Sequence, residues 1–298
     1  MPDHAVAPGA GTQAAEATRR RLREIRGFVF DLDGTLVLGD RHNKGLMPLP
    51  GALEITRWAT RQGLPFVVFT NGTTKTPRQY THELRAIGFD LPDDAVLTPA
   101  SSAAAIFTRR RYGRVLVLGG DALIGPLREA GIDAVAAESG SPDGQAADAV
   151  LVGWYPHFDV SVLDAACHAI WNGAALYSCS QSVFFATAQG RAIGTSRAIS
   201  AMIKSLTGCR VGLVGKPSLD ALRTAGARIG VRLKDLAVVG DDPELEVPMA
   251  HRGRALAVAV TSGLGNADSF GHLPQASWPH LHLSGVGELL SICEQVRE

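Results

Sequence analysis

The sequence predicts an α/β fold built on a doubly wound parallel sheet. Three observations predict it. Short apolar runs alternate with helix-length segments along most of the chain, the pattern of right-handed βαβ units. Several of those runs end in polar, chemistry-bearing residues, as expected where the carboxyl ends of parallel strands form a ligand crevice. Finally, roughly 145 residues separate Asn71 from Lys216, enough for an inserted domain of ordinary size.

Each element has a local reason. Gly27–Phe30 is an apolar run that reads as a strand buried on both faces. It delivers Asp31 and Asp33, and Gly34 and Thr35 then turn the chain away. A polar loop, Gly39–Lys44, leads to Pro50 and Gly51, which introduce a helix over Ala52–Arg61 stopped by Gly63. Pro65–Phe69 is a second apolar strand, ending in the donor-rich turn Thr70-Asn71-Gly72-Thr73-Thr74. Thr76, Pro77 and Gln79 form a capping-box start for a helix running to Ile87, with Gly88 as its stop. A further helix over Ser101–Arg111 ends in three arginines, which suit the negative end of its dipole.

Arg114–Leu118 opens the next strand and helix unit, continuing through Ile132. Ala149–Val152 reads as a strand and Asp159 as the cap of a helix over Val160–Trp171. Leu176–Cys179 is a strand, Val183–Thr187 is β-prone, Gly190–Gly194 reads as a loop, and a helix follows over Ser196–Thr207. In the last third, Val211–Val214 leads into Gly215-Lys216-Pro217 and a helix over Ser218–Ile229. Leu236–Val239 then runs into Gly240-Asp241-Asp242-Pro243-Glu244. A helix to His251, a strand over Ala255–Val260 and a C-terminal helix over Val286–Val296 complete the pattern.

Composition narrows the function classes. Lys+Arg and Asp+Glu both number 29, so charge gives no case for nucleic acid or an anionic membrane as partner. No apolar run approaches membrane-spanning length. Cys167, Cys179, Cys209 and Cys293 are scattered, with no CxxC or Cys/His metal spacing. They read as reduced, mostly buried thiols of a cytoplasmic protein. Residues 1–20 are Ala/Gly-rich without periodicity and are expected to be a disordered tail. The basic segment Arg19–Arg26 lacks the apolar stretch of a signal peptide and reads as a solvated helical turn feeding the first strand, with an Arg-rich organelle-targeting segment as the alternative.

The chemistry is expected where strand-like segments end. Asp31 and Asp33, side by side at the end of a buried strand, repel each other and need a counter-charge, which a hard cation such as Mg²⁺ would supply. Thr70 and Asn71 end the second strand, Lys216 follows a third, and Asp241 and Asp242 follow a fourth. These four endings are expected to meet at one edge of one sheet. A carboxylate can attack a phosphoryl group and split one hard step into two. A second acid can protonate the leaving alcohol and then activate water, and a lysine with a metal ion can neutralise the phosphoryl oxygens.

These residues resemble the motifs of the haloacid dehalogenase superfamily: an apolar strand with D-x-D-G-T, a strand ending in Thr or Ser, a downstream Lys, and a strand followed by G-D and a later acid. The resemblance spans nearly all residues after Gly27. It implies Asp31 as nucleophile and Asp33 as general acid and base. It also implies phosphate-binding roles for Thr70, Lys216 and the backbone N–H groups around Asn71 and Gly72. The implied Mg²⁺ ligands are Asp31, the backbone carbonyl of Asp33, and Asp241. The family's last acid is replaced here by Glu246, and either Glu246 or Asp242 is left to support the metal.

Spacing chooses a branch. Roughly 35 residues between Thr35 and Thr70 hold one loop and one helix. The insertion therefore lies between the second and third motifs, which resembles the class IIA, C2-capped, NagD-like and 4-nitrophenylphosphatase-like group. The implied architecture is a Rossmann-like core over residues 21–112 and 209–298 with an α/β C2 cap over 113–208. The implied substrate is a small phosphorylated metabolite: a sugar, nucleotide, glycolate or pyridoxal phosphate. A homodimer through the cap is also implied. Cap contacts to substrate are expected at Ser180, Ser182 and Gly194, where this chain departs from the group's usual Thr-Asn-x-Asp and Pro-Gly-x-Gly sequences. Trp154, Tyr155, His157 and Phe158 either line the cleft or pack as core or hinge. A phosphotransferase of the same chemistry and a non-catalytic ligand-binding protein on this fold are the alternatives.

Overall fold

The computed structural model describes residues 10–39, 45–137, 146–187, 190–263, 270 and 274–297. The polar loop expected over Gly39–Lys44 lies, from residue 40 on, outside the described residues. In chain order, α1 (Ala10–Glu24) precedes β1 (Gly27–Asp31), β2 (Val37–Leu38), β3 (Met47–Pro48), α2 (Ala52–Arg61) and β4 (Phe66–Phe69). Next come α3 (Pro77–Ala86), β5 (Val96–Leu97), α4 (Pro99–Arg110), β6 (Arg114–Leu118), α5 (Asp121–Glu129), β7 (Asp133–Ala136) and β8 (Ala149–Val152). Then follow α6 (Val160–Trp171), β9 (Ala175–Ser178), β10 (Phe184–Thr187), β11 (Gly190–Ile193), α7 (Thr195–Thr207) and β12 (Val211–Leu213). The chain closes with α8 (Leu219–Arg228), β13 (Leu236–Gly240), α9 (Glu246–Gly253), β14 (Leu256–Val260), β15 (Leu281–Leu283) and α10 (Val286–Arg297).

Among the described residues the strands form two large sheets. The core sheet has the order β15-β14-β13-β1-β4-β5 and the second sheet β12-β9-β8-β6-β7. Every pairing within both is parallel. The chain winds outward from β1 in both directions, first to β4 and β5, then to β13, β14 and β15. The switch point of the core sheet therefore falls beside Asp31.

Helices cover both faces of each sheet, which is why their strands read as continuous apolar runs. On one face of the core sheet, Phe28 and Phe30 pack with Ile55 and Trp58 of α2, Leu84 of α3 and Leu289 of α10. On the other, Val29, Val67 and Val238 pack with Leu222 of α8 and Val247 of α9. In the second sheet, Val115 and Leu151 pack with Phe107 of α4 and Leu127 of α5, while Leu116 and Val150 face α6 and α7.

Local signals behave as expected at several helix starts. Thr76 and Gln79 form the capping box, with Thr76 Oγ1 accepting from Gln79 N at 3.2 Å and Thr76 N donating to Gln79 Oε1 at 2.8 Å. Asp159 accepts from Val162 N at 2.9 Å. The four cysteines are free; Cys167, Cys179 and Cys293 are buried and Cys209 is half-buried.

Four expectations are corrected. The tail expected over residues 1–20 is helical from Ala10. Its Ala, Gln, Glu and Arg are strong helix formers, and the helix is docked by buried Leu22 and by Arg23 Nε donating to Val296 O at 2.7 Å. Residues 1–9 lie outside the described set. The loop expected over Gly190–Gly194 is largely strand, because Phe184–Thr187 gives it an antiparallel partner. The strand that precedes Lys216 does not join the core sheet: β12 pairs with β9. The second packing unit consequently extends past residues 113–208, taking in β12 after it and α4 before it.

Candidate active site

Three core strands end at the site. Asp31 closes β1 and is 5% exposed, and Thr35 Oγ1 donates to its Oδ2 at 3.1 Å across the turn. Asp33 is half-buried beyond it and accepts from Thr70 Oγ1 at 3.1 Å. Thr70, fully buried at the end of β4, accepts in turn from Gly72 N at 2.9 Å. One hydroxyl thus joins the second acid to the amide-rich turn after β4. Asp241, buried after β13, lies against Gly34 and Gly263. A Cβ on Gly34 would lie 2.4 Å from Asp241 Oδ2, and one on Gly263 would lie 2.0 Å from it. Only glycines let the two loops close on that carboxylate.

The fourth contribution crosses from the second sheet. The loop after β12 carries Lys216, whose side chain is 2% exposed. Its ammonium donates to Asp31 Oδ1 and lies 2.7 Å from Glu246 Oε1. Of the two acids left open by sequence, Glu246, the buried first residue of α9, faces Lys216. Asp242 instead accepts from Glu244 N at 2.8 Å, and its own N–H donates to Glu246 Oε2 at 3.2 Å.

Burial opposes charge on both partners of this pair. The Lys216 ammonium nonetheless has its pKa raised, because Asp31 and Glu246 outweigh the desolvation. Burial, reinforced by Asp31 and Asp242, pushes Glu246 up to about 8 against the pull of Lys216. Burial also raises Asp242.

Two further expected residues make contacts across the junction. Asn71 turns its side chain to the Lys216 backbone: Oδ1 accepts from Lys216 N at 2.8 Å and Nδ2 donates to Lys216 O at 3.1 Å. Nδ2 also donates to Ser180 Oγ at 3.3 Å, and Ser180 Oγ donates to Ser182 Oγ at 2.9 Å. Both serines are half-buried in the loop that follows β9. Gly194 is a correction. Expected as a cap contact to substrate, it has its N–H committed instead, donating to Val183 O at 2.8 Å within the hairpin. Of the aromatic cluster, Tyr155 and Phe158 pack beneath the second sheet. Trp154 N donates to Thr73 Oγ1 at 2.9 Å and is a further tie between the sheets.

Family models described as haloacid dehalogenase-like hydrolase and HAD-hydrolase-like match residues 28–133 and 213–289. The matched segments carry all four strand-end motifs. This chain is a haloacid dehalogenase-like hydrolase. It is 25% identical over 256 residues to the ribonucleotide monophosphatase NagD of Escherichia coli (strain K12), covering 85% of this chain and 95% of NagD. It is 27% identical over 221 residues to an acid sugar phosphatase of Staphylococcus aureus (strain USA300), covering 74% of this chain and 80% of that protein. Its fold matches the 4-nitrophenylphosphatase of Thermotoga maritima with a TM-score of 0.78 at 24% identity, over 91% of this chain and 98% of the other. The hydrolase belongs to the class IIA, NagD-like branch.

The hydrolase's residues fit the divalent cation that its family implies. Asp31 and Asp241 are buried carboxylates beside half-buried Asp33, and Lys216 is a cation buried against Asp31 and Glu246. The surplus is negative and the donors are hard oxygens, the chemistry that Mg²⁺ takes. Among the described residues no three His, Cys, Asp or Glu side chains converge as a ready-made cage. The implied set does not require three, since it uses two carboxylates and the backbone carbonyl of Asp33.

Sequence reasoning missed the loop after β14. Ser262 Oγ donates to Gly34 O at 2.7 Å, and Gly263 leaves room for the Asp241 carboxylate. The available signal was the small polar run Thr261-Ser262-Gly263 directly after an apolar strand, the same punctuation that marks the other site strands.

Proposed function

We propose that this hydrolase is a Mg²⁺-dependent phosphomonoesterase that acts on a small phosphorylated metabolite through an aspartyl-phosphate on Asp31. The observation that carries the proposal is the meeting of Asp31, at the switch point of the core sheet, with the buried ammonium of Lys216 delivered from the other sheet. Asp31 attacks phosphorus, and Asp33 protonates the departing alkoxide oxygen. Asp33, now a carboxylate, then takes a proton from the water that attacks the phosphoryl group and frees Asp31. Lys216, the Thr70 hydroxyl and the Gly72 N–H face the phosphoryl oxygens, exchanging their present carboxylate and hydroxyl partners for them. Asp31, the Asp33 carbonyl and Asp241 would hold Mg²⁺. The ion's contribution when bound is to neutralise charge on the transferring group. Glu246 holds Lys216 from behind.

The two curated relatives act, by their names, on ribonucleotide monophosphates and on sugar phosphates. These classes head the substrate range proposed here, followed by glycolate and pyridoxal phosphates. A screen of several dozen phosphorylated metabolites with and without Mg²⁺ tests the proposal. Release of inorganic phosphate only in the presence of the metal is the expected result. Metal-independent release, or none from any phosphomonoester including p-nitrophenyl phosphate, would overturn it.

A further inference from the structure

Lys216 has an unusual situation. Its backbone belongs to the loop after β12 in the second sheet, while its ammonium serves acids of the core sheet. A lysine side chain has four free torsions, so the ammonium is placed reproducibly only if its own backbone is fixed relative to those acids. The backbone is gripped on both sides by one side chain of the core, Asn71, which accepts from its N–H at 2.8 Å and donates to its carbonyl at 3.1 Å. The loop is shaped for this approach: a Cβ on Gly215 would lie 2.5 Å from Asn71 Oδ1 and 2.0 Å from Cys179 O. The same amide also donates to Ser180 Oγ, which accepts in addition from Ser182 N at 3.1 Å. The neighbouring tie, Arg252 Nη1 to Pro217 O at 2.8 Å, holds the next residue from an exposed side chain of α9.

We infer that Asn71 is a positioning residue that fixes Lys216 for phosphoryl transfer and joins it to the Ser180–Ser182 loop of the second sheet. The inference rests on the phosphatase reading for its consequence but not for its geometry. Asn71 acts through the lysine, with its side chain directed at the loop backbone and not at the phosphoryl group. A change in the serine loop is therefore felt by the ammonium through the amide that both loops share.

Two measurements test this. In hydrogen–deuterium exchange, Asn71→Ala should speed exchange of the Lys216 amide, read in the peptide spanning 211–220, by about tenfold or more. Unchanged exchange there would overturn the clamp whatever the enzyme's activity. In turnover of p-nitrophenyl phosphate, Asn71→Ala should lower kcat about 10- to 100-fold while leaving the Mg²⁺ affinity measured by calorimetry within twofold. The same substitution should cost nothing further in a Lys216→Met background. An equal loss in both backgrounds, or a matching loss of Mg²⁺ affinity, would overturn the inference. Should Lys216→Met not fold, Gly215→Ala replaces it in the cycle, with a non-additive loss expected and an additive one contradicting. Failure of the phosphatase reading itself is seen separately, in a wild-type enzyme that releases no phosphate.

Discussion

The two sheets of this hydrolase share one architecture and carry different equipment. Each is all-parallel, covered by helices on both faces, and wound outward from an interior strand. Their carboxyl edges meet, through Asn71 with Ser180 and Lys216 and through Thr73 with Trp154. The core edge ends in Asp31, Asp33 and Asp241. The facing edge ends in Ser180, Ser182 and Gly153, with Lys216 crossing over. Both sheets end in a carboxyl edge, and under the proposed function the residues at the strand ends assign the chemistry to the core edge and its framing to the other.

Substitutions can break that division of labour. The largest expected effect is Asp31→Asn. It should lower kcat for p-nitrophenyl phosphate by about a thousandfold or more while near-ultraviolet circular dichroism stays native. Lys216→Met tests whether the second sheet contributes to the chemistry as well. A loss of about 100-fold in kcat is expected, and a loss confined to KM would place the lysine in substrate binding only. Ser180→Ala should change turnover of the aryl phosphate by less than about tenfold and reorder sugar and nucleotide phosphates relative to one another. An equal effect on every substrate would remove the serine loop from specificity.

The smaller effects concern stability away from the facing edges. Asp159→Ala removes the cap of α6 beneath the second sheet. It should cost about 1 kcal/mol in denaturant unfolding with kcat unchanged. On the outer edge of the core sheet, His280 accepts from Ala257 N at 2.9 Å. Burial, with Arg21 and His251 nearby, lowers its pKa to about 4. Between the ordinary histidine value near 6.5 and that value, the unfolded chain binds more protons than the folded one, so stability falls as pH falls through this window. His280→Asn should flatten the melting temperature between about pH 4 and 6.5 and leave it unaltered at pH 7.5.

What the sequence made legible follows the range of the interactions concerned. Asp31 and Asp33 were legible because a buried apolar run and a glycine turn fix them within a few residues of chain. The Thr76 and Asp159 caps are local for the same reason. The sheet that receives Val211–Leu213 was not legible, because a short apolar run looks alike whichever neighbour it pairs with. Its partner Ala175–Ser178 is decided by the packing of α4 to α7. Gly190–Ile193 has little β propensity of its own and becomes a strand through pairing. Residues Ala10–Glu24 lack an apolar stripe, and their helix is secured by Leu22 and by a hydrogen bond to the far end of the chain. Asn71 was read as part of a phosphate-binding turn, and its grip on the Lys216 backbone depends on a meeting of sheets that no local pattern encodes.

A crystal structure with Mg²⁺ and beryllium trifluoride tests the central claim most directly, because the fluoride marks the group that accepts the phosphoryl. The expected density joins beryllium to an Asp31 carboxylate oxygen, with Mg²⁺ on Asp31, the Asp33 carbonyl and Asp241, and with the Lys216 ammonium on a fluorine. A fluoride carried by any other residue, or a metal bound without Asp31, would contradict the account.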